Sequence, residues 1–154
     1  MCATAAHVGL TILQDDINDA YLLGRRDSPI YMHFPYGMAD YFAYVHGDVS
    51  NWPCDPATHV LEIWGNIWGH PDAGWIWHNV VYPFITDELG FAPTPLDPCL
   101  LVRHEPDGTP TLLLLFVDDY FVAGTAAVAA SVSAAMSARF GTKGAHPADD
   151  ARVG

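Results

Sequence analysis

Positive charge is what this chain has least of. One lysine, Lys143, and five arginines (Arg25, Arg26, Arg103, Arg139 and Arg152) face eighteen acidic residues, for a formal net charge of -12. Affinity for nucleic acid comes largely from Lys and Arg neutralising phosphates, so charge alone describes a poor nucleic-acid binder. Cysteine is scarce too: Cys2, Cys54 and Cys99 are odd in number, widely spaced and without a CxxC pair. That pattern signals neither a zinc site nor a disulfide framework, and it makes a reducing, cytoplasmic setting the default expectation. The opening MCATAAHVGLTIL lacks a basic n-region and does not read as a signal peptide. The most apolar stretch, Leu112 to Ala130, carries Asp118 and Asp119 inside it. Two carboxylates there would be costly in lipid, so no membrane partner is expected. Internal repeats, a linker, a Ser-His-Asp or Cys-His arrangement and a phosphate-cradling glycine loop are all missing from the sequence.

What is present suits one domain with one core. Apolar residues make up 51% of 154 positions, enough to bury a moderate interior. Residues 8–17 read as a half-buried strand that ends in acidic residues, and NDAYLLG as a turn with a short helix stopping at Gly24. Strands are expected at 30–34, 60–64 and 99–104, and irregular loop from Met38 to Pro56. Apolar positions from Trp75 to Leu89 recur at helical spacing, with Pro83 expected to kink or interrupt the helix and Gly90 to cap it. TLLLLF and YFVAG form a hairpin expected to be buried on both faces, and Thr125 caps an alanine-rich helix running to Phe140. The cluster of tryptophans around Trp64, Trp68, Trp75 and Trp77 suits core packing better than base stacking, given the missing cations.

The hairpin tip breaks a local rule. Tight hairpins favour Asn-Gly or Asp-Gly, which tolerate positive φ, whereas Val117-Asp118 is a β-branched residue followed by a charge. An ordinary hairpin with an acidic turn would read the same way. A second carboxylate cluster, Asp15 and Asp16, lies at the end of another expected strand. Two strand ends bearing carboxylates can meet in one sheet. Oxygen-only ligands of that kind suit Mg²⁺ or Mn²⁺, and two such ions about 3.5–4 Å apart support in-line phosphoryl transfer.

The ordered motifs go further. DINDAYLLG at 16–24 resembles motif A of copia-type retrotransposon reverse transcriptases, and LLLLFVDDYFVAG resembles their motif C hairpin, with Phe116 in place of the usual tyrosine. SPIYMHFPYGM, IWGHPDAGWIW and ELGFAPTPLDPCLLVR are similar to three further blocks of that family, in its order and at its spacing. The resemblance runs from about Leu13 to Phe140. It implies an α+β fold: a polymerase palm-type antiparallel sheet with helices packed on one face, fingers and thumb incomplete or absent. It implies that Asp16, Asp118 and Asp119 bind two metal ions, Asp118 being the member usually treated as indispensable. Ile17 would lend a backbone carbonyl to one ion. The amides of Asp19 and Ala20 would lie near the triphosphate, and Tyr21 would be the steric gate that favours deoxynucleotides. Implied partners are an RNA or DNA template-primer, a deoxynucleoside triphosphate, and integrase and ribonuclease H domains of the same polyprotein.

The departures fall on cations. Gly65, Pro71, Asp72 and Trp75 stand where the family usually has Lys, Lys, Gln and Arg. The resemblance covers neither the basic fingers segment nor the primer grip and thumb, so the chain is expected to hold metal without gripping a primer. The domain is expected to span 1–140, with a disordered, fraying tail at 141–154. A catalytically inactive remnant, and more remotely another palm-type nucleotide enzyme such as a nucleotidyl cyclase, are the competing readings.

Overall fold

The computed structural model describes residues 9–47 and 58–147, with the side chain of Ala39 set aside. Eight strands are present among them: β1 (Thr11–Asp16), β2 (Arg25–Met32), β3 (Leu61–Gly65), β4 (Ala92–Pro93), β5 (Leu100–His104), β6 (Pro110–Phe116), β7 (Asp119–Gly124) and β8 (His146–Pro147). The helices are α1 (Met38–His46), α2 (Ala73–Pro83) and α3 (Ala126–Phe140), and Ala20–Leu23 forms one 3₁₀ turn. The fold is α+β, as expected. Six strands make one sheet in the order β4-β5-β6-β7-β1-β8, and β2 and β3 pair separately; all pairings are antiparallel.

Alternation along the strands decides which face is covered. Leu101, Leu113, Leu115, Tyr120 and Val122 all point to one side, and all are buried. α2 and α3 bring Trp77, Val81, Ala129, Val132, Met136 and Phe140 into the same core. Each fully buried Leu or Val contributes about 1.5–3 kcal/mol relative to its exposed state, so this layer holds the sheet and helices together. The opposite face is only partly covered, and Leu112, Leu114 and Phe121 on it are half-buried. The expectation of a hairpin buried on both faces is therefore corrected. Its leucine run reads as doubly buried, but the core that α2 and α3 share with the sheet lies on one side of it.

Three further expectations need correction. The segment after Met38 is not wholly loop, because α1 runs to His46; the notional loop residues 48–56 lie outside the described residues. Trp77 is in the core at 2% exposure, whereas Trp64, Trp68 and Trp75 are exposed. Nor does fraying begin at Gly141. Residues 141–147 run beside β1, with Thr142 bridged to Ile17, His146 opposite Gln14 and Pro147 opposite Leu13. Pro83 acts as the sequence suggests. The regular part of α2 stops there and a single π-helical turn, Phe84–Glu88, completes it. Proline lacks the N–H that an uninterrupted α-helix would use, and π turns accommodate such a break. Gly90 follows at φ +73° and turns the chain toward β4. Among the described residues no helix is long and apolar enough to cross a membrane.

Candidate functional site

β1 and β7 lie side by side in a register that sets Asp16 opposite Asp119, with Asp15 opposite Tyr120. Neighbouring residues on a strand point to opposite faces. Asp15 therefore enters the covered face and is 2% exposed, while Asp16 and Asp119 share the other side, where both are half-buried. The two-residue loop between β6 and β7 carries Asp118, whose carbonyl accepts a hydrogen bond from the Ile17 amide at 2.9 Å. That bond ties the hairpin tip to the end of β1.

The tip is held in a conformation its sequence resists. Val117 has φ +57°, the left-handed region that a β-branched residue rarely enters. Its carbonyl is fixed by the indole N–H of Trp77, which donates at 2.7 Å. The indole lies edge-on to Phe140, with ring centroids 5.4 Å apart. A buried aromatic of α2 thus positions the loop that presents Asp118.

On the other side of the site, Asp19 takes left-handed φ and ψ of 49° and 37°, which aspartate tolerates, and starts the 3₁₀ turn. The turn ends at Gly24, which is needed for its size rather than its φ. A Cβ there would meet Ile76 Cγ2 at 2.7 Å. The Gly24 carbonyl accepts from the Asn66 amide, and the buried Asn66 side chain donates to the Ala73 carbonyl at 2.8 Å. These contacts seat the 3₁₀ turn on the start of α2.

Asp16, Ile17, Asp19, Ala20, Tyr21 and Asp118, six of the seven residues singled out in the sequence, line one open cavity of about 220 Å³. Asn18, Trp68, Val117 and Lys143 complete its wall. Asp119, the seventh, is not part of that wall but is coupled to it. Burial, then the charges of Asp118 and Asp16, push its carboxyl above the ordinary aspartate range, and Lys143 pulls it partly back. Tyr21 also borders an apolar recess of about 230 Å³, shared with Trp77, Cys99, Phe116 and Val117.

Lys143 is the functional candidate that sequence reading passed over. Its ammonium lies 2.8 Å from Asp16 Oδ2. The bond to Asp16 raises its pKa, the charges of Asp16, Asp118 and Asp119 adding to the effect while partial desolvation opposes it. The available signal was its singularity, one lysine in a strongly acidic chain; its glycine-rich surroundings hid it. Among the described residues no three His, Cys, Asp or Glu side chains are gathered closely enough to hold a metal ion as they stand. Asp16, Asp118 and Asp119 each carry hard carboxylate oxygens, the charges of Asp16 and Asp118 act on Asp119, and the Lys143 ammonium rests on Asp16. That chemistry fits Mg²⁺ or Mn²⁺.

No protein-family model, curated protein or solved structure matches this chain.

Proposed function

We propose that the chain is the palm segment of a copia-type reverse transcriptase, an RNA-directed DNA polymerase whose Asp16, Asp118 and Asp119 bind two Mg²⁺ or Mn²⁺ ions. The observation that carries this reading is the β1–β7 register. It sets Asp16 opposite Asp119, beside the loop that carries Asp118, although the two clusters are far apart in sequence. When bound, such ions activate a primer 3′-hydroxyl and neutralise the triphosphate of a deoxynucleotide. Asp118 stands at the cavity wall, held by its carbonyl and by the Trp77–Val117 bond. Tyr21 stands between the acidic cavity and the apolar recess, a position suited to crowding a ribose 2′-hydroxyl. Asp19 and Ala20 line the same wall, where their backbone would meet a triphosphate.

A second reading, a catalytically inactive remnant, is favoured by two specific observations. Asp16 is already paired with an ammonium. Arg26, the cation nearest the Pro71–Asp72 segment, is itself consumed by Asp72 at 3.2 Å, with His70 as a further partner. Few cations remain there for a template backbone.

Calorimetric titration with Mg²⁺ and Mn²⁺ tests the reading. Binding by the full chain, abolished by Asp118→Asn, is the expected result. Binding unaffected by that substitution, or absent altogether, would remove the metal site from the proposal. Primer extension with a deoxynucleotide mixture then separates the two readings: extension that depends on Asp118 supports a working polymerase, and metal binding without extension supports the remnant.

A further inference from the structure

The ammonium on Asp16 is not a wandering surface charge, because the backbone beneath it is fastened. The Lys143 amide donates to the Asp16 carbonyl at 3.0 Å, and the Asn18 amide donates to the Gly141 carbonyl at 3.0 Å. The Gly144 amide donates to Asp15 Oδ1 at 3.0 Å. Asp15 is buried, and its other oxygen accepts from the Tyr120 hydroxyl at 3.3 Å. One aspartate of the Asp15–Asp16 pair thus anchors the strap, and the other receives the strap's ammonium. Left-handed glycines on both sides of Lys143, Gly141 at φ +74° and Gly144 at φ +109°, let the chain make this path. The side chain differs from the backbone: 65% of it is exposed, and a lysine stem can carry its charge into water by rotation alone.

A divalent ion seeking Asp16 therefore meets a competitor already bound to Oδ2. We propose that Lys143 is a built-in counter-cation of the carboxylate site, which a divalent cation must displace. This rests on the metal-site reading above. In the cation-free state the ammonium offsets repulsion among Asp16, Asp118 and Asp119. On binding, the side chain swings to solvent while the strap stays on β1, so release needs no unfolding of the sheet edge.

Because Lys143 is the only lysine, its ε-methylene NMR signal is unambiguous. Titration of the full chain with Mg²⁺ should shift that signal in the wild type and leave it unmoved in Asp118→Asn. Mn²⁺ calorimetry supplies the second readout. Lys143→Met should bind about five-fold tighter than Arg139→Met, which removes a charge of the same sign without touching Asp16, and Lys143→Arg should stay near wild type. Lys143 and Arg139 are both exposed, and the melting temperature of each variant checks that it folds as the wild type does. Wild-type binding that is lost in Asp118→Asn, combined with equal affinities for the Met variants or a static Lys143 signal, would overturn the displacement alone. No binding to either wild type or Lys143→Met would overturn the metal site and the displacement together.

Discussion

Replacing Trp77 by phenylalanine tests whether the core of α2 governs the hairpin tip. Two losses add. The indole N–H no longer reaches the Val117 carbonyl, a 2.7 Å bond whose removal from a largely buried position costs about 1–2 kcal/mol. The smaller ring leaves a gap against Phe140 and Val81 in a core where Trp77 is 2% exposed, a further cost of about 1–2 kcal/mol. A total near 3 kcal/mol lowers the melting temperature of a domain this size by roughly 6–12 °C. Trp75→Phe is the control, since that ring is 67% exposed and its change should stay within about 0.5 kcal/mol. Thermal unfolding followed by circular dichroism reads both. The site should respond as well. A non-glycine residue in a left-handed conformation stores about 1–3 kcal/mol, and without its indole anchor Val117 can relax and carry Asp118 away from Asp16. Cation binding should then weaken even at temperatures where the variant is fully folded. Equal melting temperatures for the two tryptophan variants would refute the coupling of core to tip.

Two other predictions follow from single contacts. Gly24→Ala places a methyl group 2.7 Å from Ile76 Cγ2, and should cost about 1–3 kcal/mol in denaturant unfolding despite an ordinary backbone φ. Asp119 gives a pH signature, because burial and its acidic neighbours raise its folded pKa above the ordinary 3.8. Its favourable contribution is fully present below that value, where the carboxyl is protonated, and is lost as pH rises through the folded pKa. Asp119→Asn should therefore match wild type in strong acid and be the more stable protein at neutral pH in cation-free buffer. A stability difference that does not change with pH would show that Asp119 feels no such repulsion.

How much of this was legible in the sequence depended on where each signal sat. The hairpin and α3 were readable because an unbroken apolar run, a Thr125 cap and an alanine-rich stretch each have local causes; the Thr125 hydroxyl accepts from the Val128 amide at 3.4 Å. Asp16, Asp118 and their neighbours were picked out by motif order, and the β1–β7 register gathers them around one cavity. α1 was missed because it is short and lies between the Pro35–Gly37 turn and a stretch holding Gly47, Asp48, Pro53 and Pro56, so the whole segment reads as loop by composition. The polar first half of β2, with a register shift between Arg25 and Ile30, likewise lacks the alternation that marks a strand. The strap of residues 141–147 is glycine-rich and acts like loop by composition. Its order comes from Asp15 and the edge of β1, partners more than a hundred residues away, as in the Gly144–Asp15 bond with a separation of 129.

The paired aspartates of β1 also set a condition on folding. A slip of one position against β7 would exchange their surroundings, since strand side chains alternate faces. Asp16 would enter the core opposite Tyr120, and Asp15 would be turned out opposite Phe121, away from Asp119. The misaligned sheet would still bury leucines, but its interior carboxylate would lose the Gly144 amide and the open one would lose its lysine. Two identical residues in succession are thus not interchangeable: together they act as a registration mark, making the correct alignment of β1 the one in which both charges are answered.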